Sequence, residues 1–177
     1  MLEILEAFYR NGKVYIPEAD RLMELLDRGF GTLRGERLEL SPYESFFLVE
    51  KARIKVADKD SGNPLSLHDL VARFSMGKQE IWIRYLVYRD LRDRGYIVRG
   101  SEKVDFEIHG KGAERRLVSI VYEGKEANLQ ELTALIRYAA KQKKELILAV
   151  IDRRTDLVYY SIGEMEFRRL QTDPPME

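Results

Sequence analysis

The chain has no cysteine in 177 residues, which excludes disulfides and thiolate metal sites. Histidine is almost as scarce. His68 and His109 are the only two, and neither has a second ligand at metal-site spacing, so neither a metal nor a cofactor is expected. No segment approaches the ~18 consecutive apolar residues of a membrane span, and the start lacks a basic stretch leading into an apolar run. A cytoplasmic protein with no membrane partner is the expectation. Excess charge of one sign is missing too: 30 basic and 30 acidic side chains cancel. Binding nucleic acid by bulk charge is thereby excluded, and any such contact must use a local patch, with or without a partner chain. Internal repeats and low-complexity tracts are also absent.

What is present is a 45% hydrophobic complement, enough for a real core, under a surface rich in Lys, Arg and Glu. With few Asn or Gln, that surface suits a thermophile. The organising unit runs from Asn128 to Ile162. Leu129, Leu132, Leu135, Ile136, Ala139 and Ala140 recur at helical spacing and predict one buried stripe. Asn128 and Glu131 stand at capping-box spacing before it. Leu146 to Ile151 has no polar interruption, as expected of a strand covered on both faces within a sheet packed by helices. Asp152 to Asp156 then reads as a tight turn into a last strand.

Upstream, Asn11-Gly12 between short apolar runs predicts a hairpin. A helix over Pro17–Arg28 follows, with Leu22, Leu25 and Leu26 inward and Gly29 as its stop. Arg37 to Leu40 reads as a strand, and Ser41-Pro42-Tyr43-Glu44 as a capped helix start. Ile54 and Val56 suggest another strand, Asp58 to Pro64 a loop, and Ser66 with Asp69 a short helix to Phe74. Past Ser75-Met76-Gly77 comes a long helical run from Gln79 to Arg94, then strands over 96–98, 104–108 and 117–122. In the second of these, Val104, Phe106 and Ile108 alternate with Asp105, Glu107 and His109. This order predicts a smaller α+β unit over 1–76 and an α/β layered unit with a mixed sheet flanked by helices over 77–170, followed by a polar tail over 171–177.

The segments RYLVYRDLRDRGYIV from Arg84 to Val98, VDFEI from Val104 to Ile108, and Glu131 to Thr133 with Arg137 resemble the archaeal tRNA-splicing (tRNA-intron) endonucleases. So do KKELILAVID from Lys143 to Asp152 and DLVYY from Asp156 to Tyr160. LELSPYE from Leu38 to Glu44 and NPLSLHDL from Asn63 to Leu70 extend the likeness through the first half, in the family's order. The resemblance implies an α+β N-terminal domain followed by an α/β nuclease-like C-terminal domain. It also implies assembly from four units or half-units, and cleavage of precursor tRNA at bulge-helix-bulge sites without a metal, leaving a 2′,3′-cyclic phosphate and a 5′-hydroxyl. A tyrosine takes a proton from the 2′-hydroxyl, a histidine delivers one to the leaving oxygen, and a lysine steadies the charged phosphorane. One proton leaves, one arrives and negative charge grows between them, which is why these residue types are needed.

Carried over position by position, the lysine is Lys144, the tyrosine is replaced by His109, and the histidine is missing from Gly112-Ala113-Glu114-Arg115-Arg116. The resemblance further implies that Arg137 clamps a flipped RNA base. The resemblance implies too that Asp152 and Asp156 mark a turn docking into a neighbouring subunit, with Leu157 to Tyr160 at a subunit seam. The expectation is a structural subunit of a two-plus-two heterotetramer, working beside a catalytic endonuclease chain on precursor tRNA. The alternatives left open are an active homomeric endonuclease using His109 and Lys144, and a non-enzymatic protein- or RNA-interaction module.

Overall fold

The computed structural model describes residues 4–17, 22–110, 115–124, 126 and 128–163. The start of the first predicted helix and the polar tail lie outside them. Strands β1 (Leu5–Arg10) and β2 (Lys13–Ile16) form the hairpin around Asn11-Gly12. Helix α1 (Leu22–Asp27) buries Leu22 and Leu25. Strands β3 (Thr32–Arg34) and β4 (Arg37–Leu40) follow, the former not anticipated from the sequence.

Helix α2 (Pro42–Glu50) begins as its sequence dictates. Ser41 Oγ accepts from the Glu44 N–H at 3.3 Å, and Glu44 Oε2 accepts from the Ser41 N–H at 2.7 Å. The other Glu44 oxygen takes the Gly31 N–H at 2.9 Å, so a buried carboxylate is fully occupied by backbone donors. After β5 (Ile54–Asp58) and β6 (Pro64–Leu65), Ser66 and Asp69 cap α3 (Leu67–Ser75) by the same reciprocal device. These six strands lie in the order β3-β4-β2-β1-β5-β6, with β1 and β5 parallel.

Asp58 closes β5 with a further local trap. Its carboxylate accepts the Ser61 and Asp60 N–H groups at 2.9 and 3.0 Å and pairs with Arg73 at 2.6 Å. Led by the Ser61 N–H and the Arg73 guanidinium, these donors lower its pKa to about 2. A carboxylate held below its unfolded value contributes stability above pH ~4 and loses it as pH falls through the folded value. Melting temperatures measured from pH 7 down to 2 are therefore expected to fall less steeply below pH ~4 in Asp58→Asn than in the parent chain. Parallel curves would dissociate this turn from acid sensitivity.

The second half contains α4 (Glu80–Asp93), β7 (Ile97–Gly100), β8 (Phe106–His109) and β9 (Arg116–Tyr122). It continues with α5 (Leu129–Lys141), β10 (Glu145–Ile151) and β11 (Leu157–Ile162). Their sheet runs β11-β10-β9-β8-β7, antiparallel except between β9 and β10, which α5 connects. The expected α+β half followed by an α/β half with a mixed sheet is what the chain forms.

A single apolar cluster joins both halves: Phe46 meets Phe74 and Tyr85 edge-on, and Phe106 meets Tyr43 and Tyr88 at 5.5 and 5.9 Å. Arg92 crosses the same boundary. Its guanidinium lies 3.8 Å from the Phe30 ring centre and donates to the Arg28 and Tyr96 carbonyls, and burial lowers its pKa.

Under α5 a smaller cluster gathers Val104, Leu117, Ala139 and Leu146, with Leu132, Leu135 and Ile136 against it. The six-residue stripe expected on α5 is narrower than its periodicity implied, because Leu129 is 75% exposed and Ala140 is exposed as well. Only the middle of that stripe, Leu132 to Ala139, reaches the sheet. Beyond it, Leu148 and Val150 border an open cleft of about 490 Å³, so β10 is sealed on both faces only in part.

Candidate functional site

The last turn of α5 is a Schellman ending. Lys143 adopts φ 52°, its N–H bonds to the Ala140 carbonyl, and the Lys144 N–H bonds to the Ala139 carbonyl, both at 3.0 Å. The reversal turns Lys144 back over β8. There its Nζ donates to Glu107 Oε1 at 2.6 Å, with the two side chains only 20% and 25% exposed. Arg115 Nη1 approaches the same oxygen at 3.8 Å. His109 lies two residues beyond Glu107 on the same face of β8, since the intervening Ile108 points into the core. His109 lies on an interior strand, since β8 is flanked by β7 and β9, and it is in register with Ile97. His68 sits exposed in the first turn of α3, in the other half of the chain.

Glu107 was not singled out in the sequence. The one available signal was its i−2 relation to His109, and its partner lies 37 residues away. Asp105, in the same strand pattern, has a positioning task. Its oxygens take Arg84 at 3.0 Å and the Ile120 N–H at 2.7 Å, fixing α4 and β9 against each other.

Arg137 is exposed on the outer side of α5 and forms no ion pair among the described residues. With Leu129, Gln130, Thr133 and Ala134 it borders a shallow concavity. In the turn after β10, Asp152 Oδ1 accepts the Arg154 and Asp156 N–H groups at 2.8 and 2.9 Å, so its carboxylate staples the turn internally. Asp156 is exposed, and Arg153 pairs with Glu123 at 3.3 Å.

The final strand has two unlike faces. Leu157 and Tyr159 pack against the main core, and the Tyr159 hydroxyl donates to Asp90 at 2.7 Å. Burial, with that carboxylate beside it, pushes the Tyr159 hydroxyl well above its ordinary pKa. Val158 and Tyr160, on the opposite face, are 49% and 54% exposed. Among the described residues no cluster of three or more His, Asp or Glu could hold a metal, and no helix is long and apolar enough to cross a membrane.

Both halves of the chain match known proteins. Residues 5–71 match the model of the tRNA intron endonuclease N-terminal domain, and residues 81–159 match that of the tRNA intron endonuclease catalytic C-terminal domain. The chain is 36% identical to a tRNA-splicing endonuclease of Pyrococcus furiosus, across 94% of this chain and 100% of that protein. A tRNA-splicing endonuclease of Pyrococcus abyssi is 34% identical over 94% and 100% of the two lengths. One from Methanococcus vannielii is 31% identical over 87% and 90%. With both halves matched in order, the chain belongs to the tRNA intron endonuclease family, the tRNA-splicing endonucleases.

Proposed function

We propose that this chain is the structural subunit of a two-plus-two heterotetrameric tRNA-splicing endonuclease, in which a separate catalytic chain does the chemistry. The assembly would cut precursor tRNA at bulge-helix-bulge sites to 2′,3′-cyclic phosphate and 5′-hydroxyl ends, without a metal or cofactor. One observation carries the reading: Lys144 is paired to Glu107, while His109 is the only histidine near it in the strand pattern and the stretch from Gly110 to Arg116 contains none. A base without a donor can remove the 2′-hydroxyl proton but cannot supply the leaving oxygen with one.

On this reading Arg137 clamps RNA, its exposed guanidinium being free to stack. The turn from Asp152 to Asp156 docks into the partner, with Asp156 presenting charge and Asp152 holding the shape. Strand β11 forms the subunit seam: Val158 and Tyr160 meet the partner, while Leu157 and Tyr159 anchor the strand from behind. The division of the chain near Met76 and the end of the second domain near Leu170 belong to the same proposal.

The test is a cleavage assay on bulge-helix-bulge RNA. The purified chain is expected to leave the substrate intact, and to support cutting once a catalytic family member co-purifies with it. Robust cutting by the chain alone, abolished in Lys144→Ala, would establish the homomeric reading with His109 and Lys144 instead. Failure of any catalytic chain to associate would leave only a protein- or RNA-interaction module.

A further inference from the structure

The carboxylate of Glu107 occupies an unusual place. One oxygen stands 2.6 Å from the Lys144 ammonium and 3.8 Å from the Arg115 guanidinium. Two cations converging on one anionic oxygen is how proteins hold a phosphoryl oxygen, with lysine acting as a point charge and arginine as a directed donor. Here the anion is covalently part of the chain. The Schellman turn fixes the backbone of Lys144, and that of Glu107 is held by β8, which is hydrogen-bonded on both sides. Both side chains are mostly covered, so their attraction is screened less than that of an exposed pair.

We propose that Glu107 is an internal anion surrogate: it takes the anion position between Lys144 and Arg115 and thereby keeps a phosphate out of it. The proposal rests on the reading that Lys144 is not used for chemistry in this chain, and adds the residue that enforces it. Losing a general acid alone would leave a lysine still able to bind RNA phosphate. A fixed carboxylate removes that capacity as well, since an incoming phosphate would meet a like charge at the ammonium it needs. Among the described residues, Glu145, also near this end of the sheet, is engaged elsewhere: it pairs with Arg116 at 2.7 Å and accepts from Ser161.

The experiment uses the full chain and inorganic phosphate, titrated by calorimetry and by the shift of the Lys144 ammonium resonance, at low ionic strength. The parent chain is expected to show no saturable shift at Lys144. Glu107→Ala should gain a binding event in the millimolar range that moves the Lys144 signal, and Glu107→Ala/Lys144→Ala should lose it again. Glu107→Gln, which keeps the side chain's size, guards against an unfolded alanine variant and should show the same gain. Phosphate binding through Lys144 in the parent chain overturns the proposal, and so does the absence of any gain in folded Glu107→Gln. These outcomes are independent of RNA cleavage and of subunit association, so a failed structural-subunit reading would be recognised separately.

Discussion

Phe106→Ala is expected to be the most damaging single side-chain truncation in the second half, lowering the unfolding free energy by about 3–5 kcal/mol. Phe106 is 1% exposed and stands where β8 meets both α2 and α4, edge-on to Tyr43 and Tyr88. Those rings are held by others, Tyr88 by Phe47 and Tyr43 by stacking on Tyr88, so they have little freedom to collapse into the vacated volume. The cavity term should therefore add to the lost transfer term. Urea denaturation of the variant beside Leu129→Ala provides the scale. Leu129 is 75% exposed, so its truncation should change stability by no more than about 0.5 kcal/mol. A loss under about 1 kcal/mol for Phe106→Ala would mean that the seam between the halves repacks freely.

Gly29→Ala is expected to cost about 2–4 kcal/mol, from two sources that can be separated. At φ 75° an alanine bears the left-handed penalty of ~1–2 kcal/mol. Its Cβ would also stand 2.4 Å from Cγ2 of Ile97, on the strand that opens the second sheet. Gly62 has nearly the same φ, 74°, and nothing within 4 Å of a built Cβ. Gly62→Ala thus carries the backbone penalty without the collision. Chemical denaturation of the two variants should place Gly29→Ala lower by at least ~1 kcal/mol, the difference being overpacking against Ile97. Equal losses would show that Ile97 yields without cost.

The parts legible in the sequence are those decided within a few residues. Ser41 and Glu44, or Ser66 and Asp69, satisfy each other's backbone across three positions, so the helix starts could be placed by spacing alone. The alternation through Val104, Phe106 and Ile108 identified an inward face correctly, although the hydrogen-bonded strand begins only at Phe106. Thr32 to Arg34 escaped notice because all three residues are exposed, leaving no alternation to read. Leu129 was misplaced inward for the opposite reason: periodicity defines a helix face but not where the opposing sheet ends.

At the candidate site, the resemblance pointed to Lys144, Arg137 and the turn residues but carried nothing of their surroundings. The contact that distinguishes Lys144 is an ion pair between a helix ending and a strand far upstream, and neither local spacing nor composition carries that information. The unlike faces of β11 were equally hidden. Leu157 through Tyr160 are uniformly apolar or aromatic, and only the register with β10 separates Tyr159, bonded to Asp90, from its exposed neighbours.

The aromatic contacts linking Phe46 to Tyr85, and Tyr43 to Phe106, limit how the chain can be recombined. A cut near Met76 separates two sheets neatly on paper, but it divides one core between two pieces. Each piece would present a ring-rich face to water and would be the other's best ligand. Chimeras with a relative should therefore exchange α2, α4 and β8 as a unit, since the seam between the sheets is what has to stay matched.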